Sequence, residues 1–93
     1  MAEPIRVLLV DDQSLVRSGF HMLIDSEDDM AVVGEASNGA EALEKLRTIE
    51  VDVALMDIRM PVMDGVETTR RIAASSLPTR VMILTTFDLD EYV

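Results

Sequence analysis

Cysteine is absent from the 93 residues, which excludes disulfides and thiolate metal sites. Basic residues are scarce: 8 Lys plus Arg stand against 18 Asp plus Glu, a formal charge of −10. Gripping a phosphate backbone needs a basic face, so this segment is not expected to bind nucleic acid itself. The acidic balance suits a cation site or a partner with a basic surface. There is one His, His21, and one Lys, Lys45. No apolar run approaches the roughly 18 residues of a membrane span, and the N-terminus has no secretory h-region. These absences predict a soluble cytoplasmic protein without a membrane partner.

What is present is apolar and regularly spaced. Hydrophobic residues make up 48%, enough for the core of one domain. Ile5 to Val10 is an almost continuous aliphatic run, as in a strand buried on both faces of a parallel sheet. Ser14 can cap a helix that places Val16, Phe20, Leu23 and Ile24 on one side. Met30 to Ala36 is a weaker strand whose polar tail suggests a sheet edge. Asn38 with Glu41 has the spacing of a capping box, and so does Asp64 with Glu67. Between those helices Val51 to Met56 forms a third strand, and Val81 to Leu84 a fourth. Asp88 with Glu91 opens one more helix. The order βαβαβαβ implies a parallel sheet with right-handed crossovers.

In such sheets function sits beyond the C-terminal strand ends, near the switch in strand order. Strand one ends in Asp11-Asp12, strand three in Asp57 and strand four in Thr85-Thr86. A flavodoxin-like order beginning 2-1-3-4 would gather the three carboxylates in one crevice. Unit charges ~4 Å apart repel by roughly 4 kcal/mol at an effective dielectric of ~20, so a cation or protonation must compensate. Hard oxygen donors in an open site suggest Mg²⁺. Singly, an Asp at a strand end is more often a cap or a solvated loop residue. Asp57 follows an apolar run with no obvious capping duty, and three matched strand ends together are specific.

The strings LLVDDQSLVR (Leu8 to Arg17), LMDIRMPVMDG (Leu55 to Gly65) and VMILTTFDLDEYV (Val81 to Val93) resemble bacterial two-component response-regulator receiver domains. TTFDLDEY is most similar to the NarL/FixJ group, whose members carry a LuxR-type helix-turn-helix. The resemblance spans the chain and implies a CheY-like fold and a role for each matching position. Asp57 would be the phosphoacceptor that attacks a phosphohistidine on a sensor histidine kinase. Asp12 would bind Mg²⁺ directly and Asp11 often through water, with Asp57 and the backbone carbonyl of Arg59 completing the metal set. Thr85 would be the hydroxyl that turns toward the phosphoryl group, with Thr86 a small neighbour. Met60, Pro61, Asp64 and Gly65 would shape the loop after strand three.

The resemblance also implies a Lys at the end of a fifth strand, which Lys45, in the second helix, cannot supply. Residues 1–93 are therefore expected to be a partial receiver domain. The fifth strand, fifth helix and DNA-binding domain would belong to a longer parent that regulates transcription. Such a fragment is expected to be marginal or to associate, as a homodimer or strand-exchanged oligomer. It would be a signalling module taking part in its own phosphoryl transfer, not an enzyme. A dehalogenase-type phosphatase would need an Asp two residues after Asp57, where Arg59 stands. A nucleotide-binding module would need a glycine-rich loop after a strand, and none is present. The remaining alternative is a fold-only interaction fragment that is not phosphorylated.

Overall fold

A computed structural model describes residues 3–84. The elements run β1 (Ile5–Val10), α1 (Ser14–Asp25), β2 (Met30–Ala36), α2 (Gly39–Leu46), β3 (Val53–Asp57), α3 (Gly65–Ala74) and β4 (Arg80–Leu84). All pairings are parallel and the sheet order is β2-β1-β3-β4, the expected order. Parallel neighbours require crossovers, and the three helices supply them. Asp88, Glu91 and the helix expected there lie outside the described residues, as do Thr85 and Thr86.

β1 is central and its side chains alternate between two cores. Leu8 and Val10 join Ala42, Leu46, Ala54, Met56 and Ile72 on the side of α2 and α3. Val7 and Leu9 join Ile24 on the side of α1, with Phe20 packed against them. Two-sided burial explains why Val7 to Val10 is continuously apolar rather than alternating. β2 lies at an edge, as its polar tail suggested. Among the described residues β4 is the other edge, and its Met82 and Ile83 are exposed. No helix among the described residues is long and apolar enough to cross a membrane.

Local signals at the helix starts hold in two of three cases. Asn38 Oδ1 accepts from the Glu41 N–H at 2.9 Å, and Asp64 Oδ1 from the Glu67 N–H at 2.8 Å. In α1 the cap position falls to Gln13, which makes no side-chain cap bond, and Ser14 is the first helical residue. The Gln13 N–H is taken by the Asp11 carboxylate instead, at 2.9 Å, so that turn is built from the acidic pair. Leu23 also departs from expectation: it is 66% exposed, beside exposed Met22 and Leu15. Adjacent helical residues lie ~100° apart, and Ile24 rather than Leu23 turns to the sheet.

Candidate metal and phosphoacceptor site

β1 and β3 are neighbours, with Val10 opposite Met56. The next residues on each strand, Asp11 and Asp57, therefore emerge side by side at the C-terminal edge of the sheet. One carboxylate oxygen each from Asp11, Asp12 and Asp57 lies within 4.8 Å of the others. Asp11 and Asp57 are buried and Asp12 is exposed, so the cluster opens outward on one side. Asp57 closes β3 as its last residue, opposite Leu84 of β4. The register thus fixes its backbone by strand pairing rather than leaving it in a loop.

Burial is the main influence on Asp11 and pushes its carboxyl above the usual carboxylate range. The charges of Asp57 and Asp12 push the same way, while the Gln13 N–H and Arg17 pull against them. Three hard oxygen donors so close fit a small divalent cation that keeps some waters, such as Mg²⁺.

The loop after β3 forms the outer wall. The Arg59 N–H donates to Asp57 Oδ1 at 3.4 Å. Val62 has φ 71°, a left-handed conformation that a β-branched residue rarely adopts, and the Met63 N–H closes the turn onto Pro61 O at 2.8 Å. The chain then returns to β3, where the Gly65 N–H donates to Ile58 O at 2.8 Å. Gly65 is needed there, because a Cβ would lie 2.3 Å from the carbonyl oxygen of Asp57. An open hollow of about 480 Å³ between Asp12, Ile58, Arg59, Met60, Pro61 and Asp64 lies beside the exposed member of the cluster, Asp12.

Beyond the three Asp lies a chain of charged groups that the sequence pattern did not single out. His21 of α1 bonds Glu35 Oε2 through Nδ1 at 3.0 Å and Asp25 through Nε2 at 2.9 Å. Arg17 bonds the other Glu35 oxygen at 3.0 Å. Only the one-turn spacings His21–Asp25 and Arg17–His21 were available to flag it; Glu35 lies on a different element. Lys45 occupies α2, where it bonds the Glu35 carbonyl and pairs with Glu41 at 3.5 Å.

The bond to Glu35 holds the His21 imidazole above its usual value of 6.5, and the same bond holds Glu35 below 4.5. A raised histidine contributes its stabilisation in full below 6.5 and loses it as pH rises through the folded value. The lowered Glu35 contributes above 4.5 and is lost as pH falls through its folded value. The pair is therefore complete from about 4.5 to 6.5 and weakens on either side. As the chain's sole histidine, His21 can be followed through its Cε1–H resonance. A midpoint above 6.5 that moves back in Glu35→Gln is expected; a native midpoint at or below 6.5 would contradict the pair.

Comparison with known proteins agrees with this geometry. Residues 7–93 match the response regulator receiver domain family. A transcriptional regulatory protein of Bacillus subtilis, YxjL, is 44% identical over 91 residues, covering 98% of this chain and 42% of that protein. The chain thus spans about two fifths of that relative's length. Among solved structures, the receiver domain of the response regulator NarL from Mycobacterium tuberculosis superposes with a TM-score of 0.88. It is 40% identical, over 94% of this chain and 70% of that one. CheY6 of R. sphaeroides, crystallised in complex with the P1 domain of CheA3, gives a TM-score of 0.79 at 36% identity, over 97% of this chain and 70% of that one. A sheet ordered β2-β1-β3-β4 with acidic strand ends, and a family match over nearly its whole length, place this chain among the response regulator receiver domains of two-component signalling.

Proposed function

We propose that this chain accepts a phosphoryl group on Asp57 from the phosphohistidine of a sensor histidine kinase, with Mg²⁺ at Asp11, Asp12, Asp57 and the Arg59 carbonyl. The observation that carries the reading is the convergence of three carboxylates from the ends of β1 and β3 to within 4.8 Å. A bound Mg²⁺ would neutralise charge on the acidic cluster and on the incoming phosphoryl oxygens. Asp57 supplies the nucleophilic oxygen: a P–O bond forms, the P–N bond breaks, and the imidazole leaves with that electron pair. Strand pairing and the Arg59 N–H hold the Asp57 carboxylate in place, and positioning matters because a carboxylate is a weak nucleophile.

Thr85 is proposed as the hydroxyl that responds to the new charge. Its support is that it directly follows Leu84, the strand partner of Asp57. The likeness to transcriptional regulators supports a cytoplasmic parent that controls a DNA-binding domain outside these residues. The kinase partner is supported by the CheA3–CheY6 complex. The domain acts here as a signalling module and turns over no separate substrate. A fold-only fragment is the second reading, favoured by the engagement of the one Lys, Lys45, on α2, away from the acidic cluster.

Beryllofluoride with Mg²⁺ separates the two. Amide shifts around Asp57 and Thr85, lost in Asp57→Asn, are expected of a phosphoacceptor. An unchanged spectrum at saturating reagent would favour the fold-only module.

A further inference from the structure

We infer that Arg17 is a positioning residue for the acidic cluster, acting on the peptide plane between Asp11 and Asp12; this rests on the metal-binding reading above. The Asp11 N–H makes a last bond to β2, to Ala36 O at 3.0 Å. That N–H belongs to the preceding Val10–Asp11 peptide, whereas the Asp11 carbonyl belongs to the Asp11–Asp12 peptide group, and Arg17 donates to it from the guanidinium at 2.5 Å. That bond orients the plane joining two of the three carboxylates. Rotating the plane would swing the Asp12 side chain relative to Asp11, and a metal site tolerates only about 0.5 Å of such error.

Arg17 is itself held. Its side chain is only 19% exposed, and its Nε donates to Glu35 Oε1 at 3.0 Å. The second Glu35 oxygen is held by His21 at 3.0 Å, and Lys45 bonds the Glu35 carbonyl. One planar guanidinium thus spans the end of β2 and the loop after β1. A lysine ammonium, as a point charge, cannot reproduce the fork. Partners of this outer kind typically change metal affinity by about 10–100-fold when removed.

A bland alternative is that Arg17 merely pins α1 to β2. The two are separated by titrating the full chain with Mg²⁺ alone and following the amides of residues 11–13 and 57–59. Arg17→Ala is expected to weaken Mg²⁺ binding about tenfold, with Arg17→Lys intermediate and Glu35→Gln a smaller loss in the same direction. Arg6→Ala is the control, since Arg6 ties Glu50 and Asp52 at the opposite end of the sheet. It should lower the melting temperature and leave Mg²⁺ affinity unchanged. Native affinity in Arg17→Ala, or an equal loss in Arg6→Ala, overturns the assignment. If Arg17→Ala fails to fold, Glu35→Gln decides: unchanged affinity there overturns it as well. Failure of the underlying reading looks different, because the native chain would then show no Mg²⁺ shifts at these amides, and both inferences would fall.

Discussion

Gly65→Ala is expected to destabilise the chain by about 3 kcal/mol, the upper end of the usual range for forced overpacking. At roughly 4–8 °C per kcal/mol for a domain of this size, the melting temperature should fall by roughly 12–24 °C. The reason is backbone on backbone. A Cβ at Gly65 would sit 2.3 Å from the Asp57 carbonyl oxygen and 3.0 Å from the Ile58 Cα. No rotamer change can relieve either contact. α3 must move away from β3, or the end of β3 must bend, and Asp57 is the residue at that end. The substitution should therefore weaken Mg²⁺ binding as well as stability. Gly19 is the internal control: it lies in α1, and an added methyl there would meet nothing within 4 Å. Gly19→Ala should therefore stabilise by about 0.5–1 kcal/mol through helix propensity alone. Thermal melts of the two variants measure both. A Gly65→Ala melt within a few degrees of native would show that the β3–α3 junction yields easily, contrary to its geometry.

Asp11→Asn is expected to move stability and metal affinity in opposite senses. Two carboxylates at the cluster's 4.8 Å limit repel by about 3.5 kcal/mol at an effective dielectric of about 20, before screening at the exposed Asp12. Asn keeps the oxygen that accepts the Gln13 N–H, so the turn survives while the charge is removed. Without metal, a gain of about 1 kcal/mol at neutral pH is the expected remainder after screening. The sign follows from the raised Asp11 carboxyl. Its charged form is disfavoured in the fold, so stability falls as pH rises through the folded value and the penalty vanishes below 3.8. The advantage of Asn should vanish in acid accordingly. With Mg²⁺ the order reverses: losing one carboxylate should weaken binding by at least about tenfold, so the ion stabilises the native chain far more than the variant. Melting both proteins with and without Mg²⁺ tests this. A metal-free variant less stable than the native chain at neutral pH would mean that carboxylate repulsion is not a governing cost at this site.

Much of this architecture is legible in local sequence because the forces that set it are local. The run Ile5 to Val10, broken only by Arg6, announces a central strand, since only a strand covered on both faces stays apolar at consecutive positions such as Val7 to Val10. Asn38 and Asp64 mark helix starts because a short acceptor three residues before a free N–H meets it within one turn. Asp57 stands out as a charge at the end of an apolar strand, and the order 2-1-3-4 follows from βα alternation together with the motifs around it. Ser14 failed as a cap because the Asp11 carboxylate, two residues upstream of Gln13, took over the turn.

What tertiary structure alone decided lies across elements. Whether Leu23 or Ile24 faces the sheet depends on the roll of α1, and adjacent residues on a short helix carry no signal for it. The tie from His21 through Glu35 and Arg17 to the Asp11 carbonyl joins residues of α1, β2 and the β1–α1 loop, and Gly65 is required by a carbonyl eight residues away. The three aspartates could be named from the sequence, because each closes an apolar strand or follows one. Their approach to within 4.8 Å and the burial of two of them come from strand neighbours that meet only once the sheet has formed, while the Arg17 guanidinium reaches the Asp11 carbonyl from α1.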